Sequence, residues 1–429
     1  MTNEKTLRER CKVVTHEDKD SFVGIRADTE DAMVYFPLGY ELSDTEDDIR
    51  RDILQLITIL NEFKDRREGH ITERHYDETE KDKFPLNAYM EIILYYMENG
   101  YYKELEPVYK TRERGKINWS KTIKQQRPLL SLNSDNTTYS PIYTHFTVKL
   151  STPNEDEEIT LINKYCVRKS FEIIGWLFTS YIPPEAEVVY NENRFLAVLN
   201  SKLVNTNNDR KKRLFQSMID MINEMDEESN HKIHFGTNSF AYVWEGLIDK
   251  TFGNRKKELY YPKGIWKLRY NDDKPTSKLR PDTIMSYNDD FFVIDAKYYK
   301  YGDSRNRNHL PSSDSINKQV TYGEYVQLLE EGKSVYNAFL IPYNRKNNNF
   351  KSDNLFLNIG EAIPEWKYKN LDGNEERKEI KYEHIQGFLV DIKYLMNNYR
   401  NESTINIQKL AEAILKAYDN NKNIAMDDE

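Results

Sequence analysis

The chain has 429 residues, enough for two domains with their own cores, and its high charge with few Gly and Pro suits an ordered α/β protein. No apolar run approaches a membrane span. Cys11 and Cys166 lie too far apart to form a CxxC pair, which argues against a disulfide scaffold or a cysteine-based zinc site. The net charge of −9 argues against a protein that coats nucleic acid non-specifically, although binding depends on where the charge sits. It is segregated. Ala27 to Asp48 holds eight acids and no base, Thr111 to Arg127 six bases and one acid, and Asp249 to Lys300 twelve bases and eight acids. One face meeting phosphate and ordinary solvated surface are both open readings.

In chain order, Met1 to Asp20 reads as a charged leader without periodicity. It lacks the apolar stretch of a signal peptide, so a cytoplasmic location is expected. Phe22 to Ile25 and Ala32 to Phe36 read as strands, and Ser43-x-x-Glu46 as a capping box opening a helix with Ile49, Ile53, Leu56, Ile57 and Leu60 on one face. Lys64 to Lys83 reads as a loop or exposed extension. Leu86 to Met97 reads as a helix ended by Asn99-Gly100, with a basic, aromatic segment around Trp119 after it. Trp119 is available for stacking on a base, but a partly buried anchor is the commoner use. Tyr143 to Leu150 alternates like a strand, and Ile159 to Phe178 reads as a helix in which Cys166 packs.

Pro183-Pro184 is the expected domain boundary, dividing the chain into 1–184 and 185–429. Beyond it, helices are expected over Phe195 to Val204 and Leu214 to Met225, with Asn205 to Arg213 as a polar loop. Phe240, Val243, Trp244, Leu247 and Ile248 form the core stripe of another helix, which Glu245 borders. Ile316 to Leu329 reads as a helix carrying Gln319 and Tyr322. Val335 to Pro342 and Phe388 to Tyr394 read as strands, and Thr404 to Tyr418 as a closing helix. No P-loop, HExxH, GxSxG or internal repeat is present.

The stretch from Lys278 to Tyr301 organises the rest. Leu279 to Ser286 and Phe291 to Tyr299 read as the arms of a β-hairpin, with Asn288-Asp289 as the turn. Folded so, Asp282 lies opposite Asp295, and Arg280 opposite Lys297. Asp282, Asp295 and Lys297 therefore share a face. Two opposed carboxylates repel, and a divalent cation between them reverses that cost, because hard cations take oxygen ligands. A surface hairpin with solvated charges is the plain alternative.

The pattern Pro281-Asp282, then Asp295-Ala296-Lys297, resembles the core of the PD-(D/E)xK nuclease superfamily in its D-x-K form. With FVGI at Phe22–Ile25, FPLGY at Phe36–Tyr40, GKINW at Gly115–Trp119, LRPD at Leu279–Asp282, IDAKYY at Ile294–Tyr299 and KQVTY at Lys318–Tyr322, the chain resembles the LlaJI family of restriction endonucleases, itself similar to the nuclease subunit McrC. That resemblance implies a C-terminal nuclease core, a mixed sheet flanked by helices, behind an N-terminal α+β domain. It implies a Mg²⁺-dependent endonuclease cleaving double-stranded DNA, with Asp282 and Asp295 as metal ligands and Lys297 as the water-positioning residue. In such folds the helix before the hairpin lends a further carboxylate, which makes Glu245 the candidate against its reading as an ordinary surface acid. The helix after the hairpin brings Gln319 and Tyr322 toward water or phosphate, with core packing open for Tyr322. An McrB-like GTPase partner and a cognate DNA methyltransferase in the same system are also implied. Residues before about Pro184 are then expected to serve target recognition or docking. A non-catalytic DNA-binding scaffold and a repair-type exonuclease of the same fold are the rival classes. Asp391-Ile392-Lys393 repeats the D-x-K spelling without a Pro-Asp arm and reads as structural.

Overall fold

The structure is a computed structural model and describes residues 6–16, 20–27, 32–63, 85–134, 137–154, 156–223, 233–368, 380–400 and 403–427. The chain begins with an element that periodicity does not reveal. Within the charged leader stands a three-residue strand, β1 (Cys11–Val13), followed by β2 (Val23–Ala27) and β3 (Ala32–Phe36). β1 runs parallel to β3 and β2 antiparallel to it. After β3 the chain reverses at Pro37 to Tyr40. Gly39 has φ +77°, and a Cβ there would stand 3.0 Å from the Tyr343 Cα, so a side chain would be strained and crowded.

Helix α1 (Glu46–Phe63) buries the expected Ile49, Ile53, Leu56, Ile57 and Leu60. Its cap is not the Ser43 box. The Asp48 N–H donates to the Thr45 hydroxyl (3.2 Å), which donates to the Asp48 carboxylate (2.6 Å), while the Ser43 N–H goes to Asp52. The expected extension over 64–83 lies outside the described residues.

Two compact units divide the chain, Met1–Lys83 with Asn230–Glu429, and Phe84–Ser229 between them in sequence. The second contains α2 (Leu86–Asn99), β4 (Glu104–Arg112), α3 (Trp119–Gln125), β5 (Leu129–Leu132), β6 (Tyr139–Ile142), β7 (Phe146–Asn154), α4 (Glu158–Ile174), α5 (Glu192–Asn205) and α6 (Asp209–Asn223). β4 pairs with β7, and β5 with β6, both antiparallel. Trp119 is exposed, edge-on to Phe146, rather than buried. Most of the expected loop over Asn205 to Arg213 is helical. The Asn208 side chain accepts from the N–H groups of Arg210 and Lys211 and starts α6 there. Pro183-Pro184 joins α4 to α5 inside this unit, so the compact units do not follow the 1–184 and 185–429 division. The physical reason is visible in Lys202 on α5, which bonds Glu104 (2.6 Å) and Glu157 (2.8 Å) from before the proline pair.

The first unit resumes with β8 (Ile233–Thr237), which pairs with β2 and gives the sheet order β1-β3-β2-β8. It continues through α7 (Phe240–Phe252), β9 (Lys263–Trp266), β10 (Lys274–Lys278), β11 (Thr283–Tyr287), β12 (Asp290–Ala296), α8 (Tyr301–Ser304), α9 (Ser313–Leu329), β13 (Val335–Tyr343), β14 (Phe356–Ala362), α10 (Glu365–Tyr368), β15 (Ile385–Asp391), α11 (Ile392–Asn398) and α12 (Ser403–Asp427). Among the described residues the main sheet has the order β11-β12-β13-β15-β14. β12, β13 and β15 are parallel and the edges antiparallel, a mixed sheet with helices, in keeping with an α+β fold. β13 is buried at every position, as a central parallel strand requires, which accounts for a spelling that is apolar except at Asn337, whose amide donates to the Gln319 carbonyl. β15 ends earlier than expected because the Asp391 carboxylate accepts from the Tyr394 N–H (2.8 Å) and starts α11.

Candidate active site

The site grows out of the β11–β12 hairpin. Asn288 and Asp289 both have positive φ, 46° and 68°, which suits the right-handed twist of the arms. Thr283 pairs with Ile294 and Tyr287 with Asp290, the register that sets Asp282 across from Asp295. The ladder is shorter than the sequence suggests and starts only at Thr283, after Pro281. Where it stops, the Asp282 carboxylate replaces it by accepting the Ala296 N–H at 2.8 Å. That bond holds the carboxyl at the end of β12, beside Asp295. The free edge of β11 is covered by Asn254, whose side-chain amide donates to the Ser286 carbonyl and accepts from its N–H, both at 2.8 Å.

Helix α7 is pinned over the same end of the sheet. The buried Trp244 indole donates to the Leu340 carbonyl (3.2 Å), which also receives the Lys297 N–H (2.8 Å). Glu245 follows Trp244, and its charge is felt at Asp282. One turn further on, Asp249 accepts from Lys257 (3.0 Å) and from the Thr283 hydroxyl (3.3 Å). Lys257 also donates to the Asp282 carbonyl (2.7 Å). Asp249, Lys257 and Thr283 thus brace the strand that carries Asp282. Of the three, only Asp249 carries a sequence signal, its place one turn after Glu245 on the same helix face.

The electrostatics follow from this packing. Burial, then the like charges of Asp295 and Glu245, hold the Asp282 carboxyl well above the usual carboxylate range. Burial pulls the Lys297 ammonium down, but Asp295, which it contacts directly, and Asp282 outweigh it and keep Lys297 charged. Tyr322 on α9 packs in the core with Ile284 and Val293, and its hydroxyl is pushed up to about 12 by burial and then by Asp295 and Asp282. Gln319 is placed differently. Its amide donates to the Val293 carbonyl (2.7 Å) and to Asn337 (3.2 Å), tying α9 to β12 and β13, and none of these bonds reaches either carboxylate.

Asp282, Asp295 and Lys297 are therefore brought together, Glu245 lies within their field, and Gln319 supports the strand beneath. Among the described residues, no three His, Cys, Asp or Glu groups form a ready-made metal cage. The donors nonetheless fit a hard divalent cation. Carboxylate oxygens are its preferred ligands, and the repulsion and burial that raise Asp282 are what a cation relieves.

Residues 22–362 match the family model of the LlaJI restriction endonuclease, a span that includes Glu245, the hairpin and α9. The chain belongs to the LlaJI restriction endonuclease family. It is also 26% identical over 269 residues to the type II restriction enzyme BsuMI component YdjA of Bacillus subtilis (strain 168). That match covers 59% of this chain and 57% of the relative's length. Of the stretches that carry the sequence resemblance, LRPD and IDAKYY form the acid pair, whereas FPLGY is architectural: the Leu38 N–H donates to the Tyr298 hydroxyl (2.7 Å), joining the first strands to the end of β12. No helix among the described residues is long and apolar enough to cross a membrane.

Proposed function

We propose that this chain is the nuclease component of a restriction system and hydrolyses phosphodiester bonds of double-stranded DNA in a PD-(D/E)xK-type core. The observation that carries the reading is the direct opposition of Asp282 and Asp295, with Lys297 against them, at the end of β12. Asp282 and Asp295 hold Mg²⁺, with Glu245 as the further carboxylate. When bound, Mg²⁺ supplies Lewis-acid charge for the phosphate and for the leaving 3′ oxygen. Lys297 stays protonated beside Asp295, so it acts as a donor that orients the attacking water and offsets charge building on the phosphate, not as a base. Gln319 is a positioning residue that holds β12 on α9.

Membership in a restriction endonuclease family, and a relative named as a component, support a chain that acts with other subunits. An McrB-like GTPase motor is the proposed partner, a cognate methyltransferase protects the host DNA, and the cytoplasm is the proposed location. Docking on the partner is assigned to the Phe84–Ser229 unit, whose stretch Thr111 to Arg127 is strongly basic.

The test incubates closed circular plasmid with the protein and Mg²⁺, with and without the companion subunit and GTP. Mg²⁺-dependent linearisation that Lys297→Ala abolishes, with DNA binding retained, is the expected result. An unchanged rate in Lys297→Ala refutes the assignment, and activity confined to DNA with free ends makes the protein an exonuclease.

A further inference from the structure

Just before the catalytic hairpin stands a second one that buries nothing. β9 and β10 pair antiparallel, and every residue from Lys263 to Arg280 is exposed. A two-stranded ribbon alone in water is marginal at best. This one also sets Lys263 directly across from Lys278, a like-charge pair that weakens it further. Its exposed apolar side chains, Ile265, Trp266 and Tyr270, add no core. The ribbon carries Lys263, Lys267, Arg269, Lys274 and Lys278 against Asp272 and Asp273, so it is cationic in a chain of net charge −9. Among the described residues, none of Lys263, Lys267, Arg269, Lys274 and Lys278 is ion-paired with a carboxylate of the protein. This composition, costly for stability, is what a polyanion would repay.

We propose that the β9–β10 ribbon is the element that reads target sequence, seated in the major groove of duplex DNA beside the scissile phosphate. The proposal rests on the nuclease reading for the position of that phosphate. The major groove admits a two-stranded β-ribbon. The Leu279 N–H donates to the Pro262 carbonyl (2.9 Å) and closes the base of the ribbon. Only Leu279, Arg280 and Pro281 separate Lys278 from Asp282. That gap spans at most about 14 Å of extended chain, on the order of four base-pair rises from the acid pair. Lysines at the base, Lys263 and Lys278, suit phosphates, which fix register without reading sequence. The tip, Lys267 to Asp273, offers Arg269, Asn271 and Asp272, side-chain types that read guanine, adenine and cytosine edges. Trp266 shares a face with Lys274 and supplies an apolar contact for thymine methyl groups. Target reading then lies in the same unit as the acid pair and needs no contribution from residues before Pro184.

The test measures duplex binding by the full-length protein without divalent metal, so it does not depend on cleavage. Because the side chains are exposed, Lys263→Gln/Lys278→Gln and Arg269→Ala/Asn271→Ala are expected to fold as the parent does, checked by melting temperature. The lysine variant should weaken binding to all sequences and flatten the dependence of log affinity on log salt by about one unit per lysine. The tip variant should bind mixed-sequence DNA with an unchanged salt slope. In selection from a random duplex pool it should lose the parent's preference at one or more positions, about tenfold at each. Parent-like salt slope and selected sequence in both variants overturn the proposal and leave the nuclease reading standing. Failure of the plasmid assay with these binding changes present sinks the nuclease reading instead.

Discussion

Two strands of one sheet end in the same spelling. β12 leads into Asp295-Ala296-Lys297 and β15 into Asp391-Ile392-Lys393, at the same end of the parallel run. At β15 the charges are spent on the protein itself. Asp391 caps α11 and pairs with Arg345 (3.2 Å), Lys393 bonds Asp52 (2.9 Å), and Lys346 bonds Glu41 (2.8 Å), so three acids meet three bases. At β12 the Asp282 carboxyl faces Asp295, Glu245 adds to the field, and Lys297 is bonded, among the described residues, to Asp295 alone. A D-x-K becomes a candidate site when a neighbouring strand delivers a second acid that the fold leaves underbalanced. It becomes a clasp when the neighbours complete its charge.

The largest expected effect separates the two lysines. Lys297→Ala should lower Mg²⁺-dependent plasmid cleavage by about 10²–10³-fold. Lys393→Ala should leave cleavage per folded molecule unchanged and cost about 2 kcal/mol in denaturant unfolding, because the largely buried Asp52 loses its partner. Equal losses of cleavage in the two variants would erase the distinction.

The next effect concerns Asp282. Its folded carboxyl binds a proton more readily than an unfolded one, so its contribution to stability is complete below the unfolded value near ~3.9 and is lost as pH rises through the raised folded value. Above that raised value an ionised Asp282 is therefore a cost. Asp282→Asn keeps an acceptor for the Ala296 N–H and removes the charge. It should raise the melting temperature by a few degrees near pH 8, while abolishing cleavage, and the gain should shrink toward pH 4. A variant less stable than the parent at pH 8 would show that the pair is not repulsive. By the same sign, cleavage by the parent should fall on the acid side, as protons compete for Asp282.

The smallest effect tests the scaffold. Asn254→Ala removes two bonds from the free edge of β11 and should cost about 1–2 kcal/mol, read by thermal unfolding, with a modest loss of cleavage. An unchanged melting temperature would mean that the edge needs no cover.

The acid pair was legible because a two-residue turn at Asn288-Asp289 and a period of two leave one register, and the structure has that register. The second D-x-K was legible as structural from the missing Pro-Asp arm. What stayed hidden has a common cause, dependence on partners distant in sequence or on no burial at all. β1 is three residues long and is held by a parallel partner more than twenty residues away. The β9–β10 ribbon has no buried face, so no alternation marks it. Asp249 and Lys257 brace Asp282 from a helix and a 3₁₀ turn earlier in the chain. Gln319 looked like a member of the site because its helix crosses it, but its amide is bonded to the strand below.

The central claim is that Asp282 and Asp295 together hold a divalent cation. Titration of the purified protein with Mn²⁺ near pH 7.5, followed by the loss of the free-ion paramagnetic signal, tests it without requiring a partner subunit or DNA. The account predicts saturable binding by the parent that weakens as pH falls and is absent from the Asp282→Asn/Asp295→Asn variant. Binding by that folded double variant equal to the parent's would contradict it.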